Sequence, residues 1–257
     1  MTDITILGLG EAGRHYARGL AHAGARVRGF DPFQDVRDLG IDQRDELTEA
    51  VGDADVVLSL VGAVPAIEVA ENALPHLRDG AIYADLNTAA PGVKQQIARL
   101  AETRGRRMAD VAVLAPVLRA GHRTALLASG PAAESLVGIL SPLGVPVTAM
   151  SGAAGEAARL KLLRSVFMKG LATLVIESLG AARASGSEQW LRDLIADELG
   201  AGGDGLVDRL VSGTYEHAPR REHEVRDALA ELEASGQPSD MTRATLAWFE
   251  RILAARD

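Results

Sequence analysis

The chain has 257 residues, enough for one large hydrophobic core or for two domains. Its composition, 47% hydrophobic and 24% charged, is that of an ordinary globular protein, and a net charge of −8 argues against nucleic acid as a main partner. The absence of cysteine excludes disulfides, thiolate nucleophiles and cysteine-ligated metals.

No run approaches the roughly 20 apolar residues of a membrane span. The N-terminus shows neither a basic region nor a cleavage site. The expectation is therefore a cytoplasmic protein with no membrane partner.

Residues 2–7 (TDITIL) predict a short buried strand, followed at once by Gly8-Leu9-Gly10-Glu11-Ala12-Gly13. Residues 14–24 predict a helix and residues 25–30 (ARVRGF) a second strand, closed by Asp31. Each glycine has a physical job in a dinucleotide site. Gly8 permits the tight turn, Gly10 lets a pyrophosphate approach the backbone, and Gly13 lets the helix pack close to the strand. The helix start offers unpaired N–H groups and the positive end of its dipole to phosphates. Asp31 stands where a carboxylate can accept hydrogen bonds from the adenosine ribose. A glycine-rich turn alone also suits other α/β domains, including methyltransferases; the strand, helix, second strand and acid around it supply the context for a dinucleotide.

Downstream, residues 45–51 predict a short helix and residues 55–61 (DVVLSLV) a buried strand, followed by Gly62-Ala63. Residues 66–74 predict a helix, 81–86 (AIYADL) a strand, and 91–103 a helix opened by Pro91. Strands follow at 107–113, 124–128 and 145–149, with a helix at 132–140. Strands alternating with helices imply a doubly wound (Rossmann) parallel sheet.

The pattern changes at Ser151-Gly152. Residues 153–184 contain no proline, and Leu160, Leu163, Phe167, Leu171 and Leu174 recur at helical spacing. Helices are predicted beyond it at 187–199, 204–212, 222–234 and 240–255. The expected organisation is a dinucleotide-binding domain over residues 1–150 and an all-helical domain over 151–257.

In such a sheet, ligands gather outside the carboxyl ends of the strands. Val61-Gly62-Ala63, Asn87-Thr88 and the loop 114–123, with Arg119, His122 and Arg123, lie there. Asn87-Thr88 reads either as a helix cap before Pro91 or as a holder of a substrate carboxylate or carbonyl. Lys161 shares a helix face with Arg164 and Ser165. It reads either as part of a solvated basic face or as a proton donor whose pKa the nearby Arg164 lowers. Glu177 reads as a plain helix-face acid.

With these residues placed, the chain resembles the β-hydroxyacid dehydrogenase superfamily over nearly its whole length. That group includes 3-hydroxyisobutyrate and 6-phosphogluconate dehydrogenases. Gly8 to Gly13 resembles the GLGxMG cofactor turn, and Asp85 to Pro91 resembles a D-x-S-T-x-x-P substrate segment with Asn87 for serine. Asp110 to Val113 is similar to a D-A-P-V strand, although the usual S-G-G is Leu114-Ala115-Pro116 here. Gly155 to Ser165 resembles the segment of the catalytic lysine, K-x-x-N-N or K-x-x-H-N.

The resemblance implies that Lys161 is the general acid/base. Asn87, Thr88, Arg164, Ser165 and His223 would bind substrate, and His217, Arg220 and Arg221 could assist, from a partner subunit among other routes. Gly8, Leu9, Gly10, Glu11, Ala12, Gly13, Asp31, Val61, Gly62 and Ala63 would hold the cofactor. It also implies a homodimer through the helical domain. His223-Glu224 falls where the superfamily has a lysine-aspartate pair.

Substitutions at Asn87, 114–116, Arg164 and His223 point to a substrate other than those of the two named enzymes, and the arginines favour an anionic one. Asp31 favours NAD, because its charge repels the 2′-phosphate of NADP, although Arg37 can reach a phosphate. The expected function is hydride transfer between NAD(P) and a small anionic hydroxy acid. The alternatives are an imine reductase on the same scaffold and a sensor that binds NAD(P) without catalysis.

Overall fold

The apolar runs of the first 150 residues become strands in the computed structural model, which describes residues 1–255. In chain order these elements are β1 (Asp3–Leu7), α1 (Glu11–His22), β2 (Arg26–Phe30), β3 (Asp42–Gln43), α2 (Leu47–Val51), β4 (Val56–Ser59) and α3 (Ala66–Ala73). Then come β5 (Ile82–Asp85), α4 (Pro91–Thr103), β6 (Arg107–Val113), β7 (Leu126–Ser129), α5 (Ala133–Leu140) and β8 (Val147–Ala149). They form one sheet of order β3-β2-β1-β4-β5-β6-β7-β8.

Successive side chains of each inner strand go to opposite faces, and both faces are covered. Val56 and Leu58 of β4 pack with Leu20 of α1 and Leu136 of α5 in one core. Val57, between them, joins Ala70 of α3 and Ile97 of α4 in the other. This two-sided burial is why the strands read as continuous apolar runs.

Two details of the sheet depart from the sequence reading. β6 and β7 pair antiparallel, Asp110 opposite Ser129, so the sheet is parallel-dominated and not wholly parallel. The connection between them holds only the 3-10 turns Val117–Arg119 and Gly121–Arg123. With no crossover helix, the chain returns beside itself. β3 went unpredicted because its two residues are polar; only pairing with β2, Arg28 opposite Asp42, makes it a strand.

The remaining elements are all helical: α6 (Glu156–Ala184), α7 (Glu188–Glu198), α8 (Gly203–Glu216), α9 (Ala218–Ala234) and α10 (Asp240–Ala254). α9 begins earlier than its apolar pattern suggested, because Pro219 suits the first helical turn. By contacts, the chain divides into two compact units, Met1–Lys161 and Leu162–Asp257. The division thus falls inside α6, past the boundary read from Ser151-Gly152. The reason is that the first turn of α6 is hydrogen-bonded to the sheet, through Gly155 and Ala158 to Asp110.

In the second unit, Ala172, Val175 and Leu179 of α6 pack with Val207 and Leu210 of α8. Ile176 packs with Val225 of α9 and Phe249 and Ile252 of α10. Contrary to the composition-based expectation, α6 is long and apolar enough to cross a membrane by those measures alone, with a window of mean hydropathy 1.3. A core helix meets the same measures. Leu163, Phe167 and Leu174, the last two 66% and 56% exposed, remain outside both helical cores.

Candidate active site

The opening turn is built for close approach. Gly8 has φ +88°, and a Cβ there would lie 2.6 Å from the Leu60 carbonyl oxygen. A Cβ on Gly13 would lie 1.9 Å from the Gly8 carbonyl oxygen, so α1 sits directly against the end of β1. Gly10, in contrast, has no atom of the described residues within 4 Å of where a Cβ would be, apart from those of its own residue and its chain neighbours. It is the N-cap of α1 and supplies no side-chain cap, which leaves the first-turn amides of Glu11, Ala12 and Gly13 for an anion. Leu9 is different: its side chain is fully buried and its N–H donates to Asp31 Oδ2 at 2.7 Å.

Asp31 therefore does more than end β2. Its Oδ1 accepts from Phe33 N at 2.8 Å and Gln34 N at 3.1 Å, so the carboxylate ties the glycine turn to the loop after β2. A carboxylate has about four acceptor sites, which leaves room for a ribose hydroxyl. Arg37, the residue that could have met a 2′-phosphate, is held by Asp35 at 3.0 Å and by Asp45.

Asn87 follows β5 and is buried. Its Oδ1 accepts from Gly62 N at 2.7 Å, and its Nδ2 donates to Ser59 Oγ at 3.0 Å and Asp85 Oδ1 at 2.5 Å. The sequence reading gave this amide to substrate. The structure instead spends it on fixing the Val61-Gly62-Ala63 loop, where Gly62 and Ala63 are exposed. Thr88, next in the chain, is exposed, and its Oγ1 accepts from Lys161 Nζ at 2.8 Å. These partners lie 73 positions apart in the chain.

Beneath this pair lies a cluster that the sequence reading missed. Lys94 of α4, only 1% exposed, has its ammonium 3.0 Å from Asp85 Oδ2 and 3.4 Å from Asp110 Oδ1. It also donates to the Asp85 carbonyl at 2.8 Å. Asp85 and Asp110 had been noticed as motif positions; nothing in the local pattern linked a lysine of α4 to them. In the loop between β6 and β7, His122 turns to the neighbouring helix. This imidazole packs on α1, where a Cβ on Gly19 would lie 2.0 Å from Nδ1. Burial lowers its pKa, with the Arg123 and His22 charges adding. Arg119 and Arg123 are exposed.

In the second unit, Arg164 is exposed and Ser165 is buried. Ser165 Oγ accepts from Lys169 Nζ at 3.1 Å, and Lys169 pairs with Glu224 at 2.6 Å. Burial pushes the Lys169 pKa down; Glu224 opposes this, and Arg221 and Arg164 add to it. Lys169, a residue the sequence reading did not single out, is thus a lysine whose pKa is depressed with Arg164 contributing. Of the pair His223-Glu224, α9 turns Glu224 to Lys169. His223 is 70% exposed and lies 3.8 Å from Asp227. Arg221 donates to Thr214 Oγ1 at 2.7 Å, while His217 and Arg220 are exposed.

Residues 3–152 match the family described as the NAD binding domain of 6-phosphogluconate dehydrogenase. The chain belongs to that family. Residues 182–252 match a second family, a domain of unknown function called DUF1932. A conserved hypothetical protein from Sinorhizobium meliloti is 32% identical, with a TM-score of 0.81 over 97% of this chain and 88% of that one. A probable 3-hydroxyisobutyrate dehydrogenase of Mycobacterium bovis is 27% identical over 83% of this chain and 70% of its own length. The Mycobacterium tuberculosis 3-hydroxyisobutyrate dehydrogenase solved with L-serine, 22% identical, shares the fold over 99% of this chain and 94% of its own, at a TM-score of 0.83.

The site of this 6-phosphogluconate dehydrogenase-type domain fits the cofactor that the family binds. The uncapped start of α1 and the open space over Gly10 suit a pyrophosphate. The Val61-Gly62-Ala63 loop, pinned by Asn87, closes the neighbouring strand end.

Proposed function

We propose that this protein is an NAD-dependent dehydrogenase of a small, anionic hydroxy acid, with Lys161 as the proton-exchanging group. The observation that carries the reading is the Lys161 amine, hydrogen-bonded at 2.8 Å to Thr88 just past the carboxyl end of β5. When bound, the nicotinamide supplies or accepts the hydride. The chain's own part is to bind, orient and move a proton. Gly10 and the first-turn amides of α1 hold the pyrophosphate, and Asp31 favours a ribose with a free 2′-hydroxyl. Thr88 holds the Lys161 side chain, which as the ammonium gives a proton to the substrate oxygen in reduction and as the neutral amine takes the hydroxyl proton in oxidation. Arg164, Ser165 and His223 are assigned to the substrate by the resemblance, and the exposed Arg164 supports an anionic one.

The test is NAD- and NADP-coupled turnover of a panel of hydroxy acids and cyclic imines. The reading expects turnover of a hydroxy acid, better with NAD, that falls by about 10²–10⁴-fold in Lys161→Ala. Unchanged turnover in that variant removes Lys161 from the chemistry. Reduction of imines alone makes the protein an imine reductase, and tight NADH binding with no turnover makes it a sensor.

We also assign the assembly to a homodimer through the helical unit. The exposed Leu163, Phe167 and Leu174 on α6 form an apolar face of the kind that a second copy covers. Light scattering that gives the mass of one chain would remove this assignment.

A further inference from the structure

We infer that Lys94, with Asp85 and Asp110, is a positioning device for the Lys161 amine. The inference rests on the dehydrogenase reading only for what that amine then does.

Lys94, Asp85 and Asp110 are at most 1% exposed, so two carboxylates and one ammonium have left water together. Such a cluster persists only where geometry and hydrogen bonds offset desolvation. Among the described residues, Asp85 Oδ2 and Asp110 Oδ1 have no hydrogen-bond partner, so the ammonium charge is what answers them. The other oxygens are anchors. Asp85 Oδ1 accepts from the backbone and side chain of Asn87, at 3.1 Å and 2.5 Å, and Asn87 precedes Thr88. Asp110 Oδ2 accepts from Gly155 N and Ala158 N, each at 3.0 Å. Ser129 Oγ donates to Asp110 Oδ2 at 3.3 Å and accepts from Ala157 N at 3.0 Å.

These amides belong to the start of α6, whose positive dipole end helps to balance the second carboxylate. Ala158 lies three residues before Lys161. Two branches therefore leave one ammonium: one runs through Asp85 to the Thr88 segment, the other through Asp110 to the turn that carries Lys161. They meet where Lys161 Nζ donates to Thr88 Oγ1. Without the Lys94 charge, two buried carboxylates face each other, and they must separate or take up a proton. Either change releases the start of α6 from the end of β5, and with it the aim of the amine.

The test uses Lys94→Met in the full chain. Three quantities are read: NADH affinity by calorimetry, the pH-dependent acetylation of Lys161 by acetic anhydride followed by mass spectrometry, and kcat and KM on whichever substrate is turned over. Positioning expects NADH affinity to hold while the Lys161 acetylation rate moves by about tenfold, equivalent to one pKa unit. It expects kcat to fall by about 100-fold with little change in KM, the scale of a misplacement near 1 Å.

A folded Lys94→Met protein with the parent acetylation profile overturns the proposal. Should that variant fail to fold, Asp110→Asn is the second test, since its carbonyl still accepts from Gly155 and Ala158. It should move Lys161 acetylation by about threefold, a smaller change because one carboxylate remains on Lys94; no change overturns the proposal, and so does failure of both variants to fold. Acetylation that moves in a protein with no dehydrogenase turnover keeps the positioning and discards the dehydrogenase reading. Turnover with unmoved acetylation does the reverse.

Discussion

Two lysines in this molecule are largely withdrawn from water, and they are held in different ways. Lys94, in the sheet unit, has two carboxylates and a backbone carbonyl around its ammonium and is 1% exposed. Lys169, in the helical unit, has one carboxylate and the Ser165 hydroxyl, and 14% of its side chain is exposed. Burial wins over Glu224 at Lys169 and lowers its pKa. The contrast teaches that burial of a charge is tolerated in proportion to the number of groups that answer it. The fully enclosed lysine cross-links strand ends to a helix start, while the other joins two helices.

Substitutions sharpen that comparison. The largest effect is expected for Lys94→Met, which leaves two buried aspartates without their cation. Loss of one partner from a buried pair costs about 3–5 kcal/mol, and urea unfolding should find a loss of that size. A loss under about 1 kcal/mol would place the cluster in a far wetter environment than its burial indicates.

Next is Lys169→Met. Here the partners are 14% and 20% exposed, so the cost should be smaller, about 1–2 kcal/mol after allowance for solvent screening. Lys169→Met with Glu224→Gln should recover more than half of it, and no recovery would mean that the two side chains do not act as a pair.

A smaller effect is a pH dependence. The Lys169 pKa in the folded chain lies below its ordinary value of 10.5, so between the two values the unfolded chain binds more protons than the folded one. Stability contributed at this site therefore rises with pH across that window and is least below the lowered pKa. Unfolding curves across the alkaline range should show this slope in the parent and lack it in Lys169→Met.

The smallest expected stability change is at the exposed Phe167, where Phe167→Glu should alter unfolding by about 0.5 kcal/mol or less. It should nevertheless shift the mass seen by light scattering toward one chain, if α6 carries the subunit contact. An unchanged mass removes Phe167 from it.

Much of the fold was legible because it depends on near neighbours. Val56 to Ser59 announced a doubly covered strand by its uninterrupted apolar run, and Pro91 marked the start of α4. The glycines of the opening turn were legible for the same reason. The site was less so. Asn87 and Asp31 were noticed for their chemistry, but nothing adjacent revealed that one pins Gly62 and the other holds Leu9, Phe33 and Gln34. His122 was placed only by its loop, alongside Arg119 and Arg123, and nothing adjacent revealed that it packs on α1 over Gly19.

The sequence by itself determined the alternation of strands and helices, the glycine turn and the change to an all-helical second part, since each is set by contacts one to four residues apart. Only the tertiary structure decided the antiparallel step at β7, the partners of Lys94 and Lys169, and the meeting of Lys161 with Thr88. Those depend on which distant segments the sheet and the helices bring within about 3 Å, the reach of a hydrogen bond, and no local period records that choice.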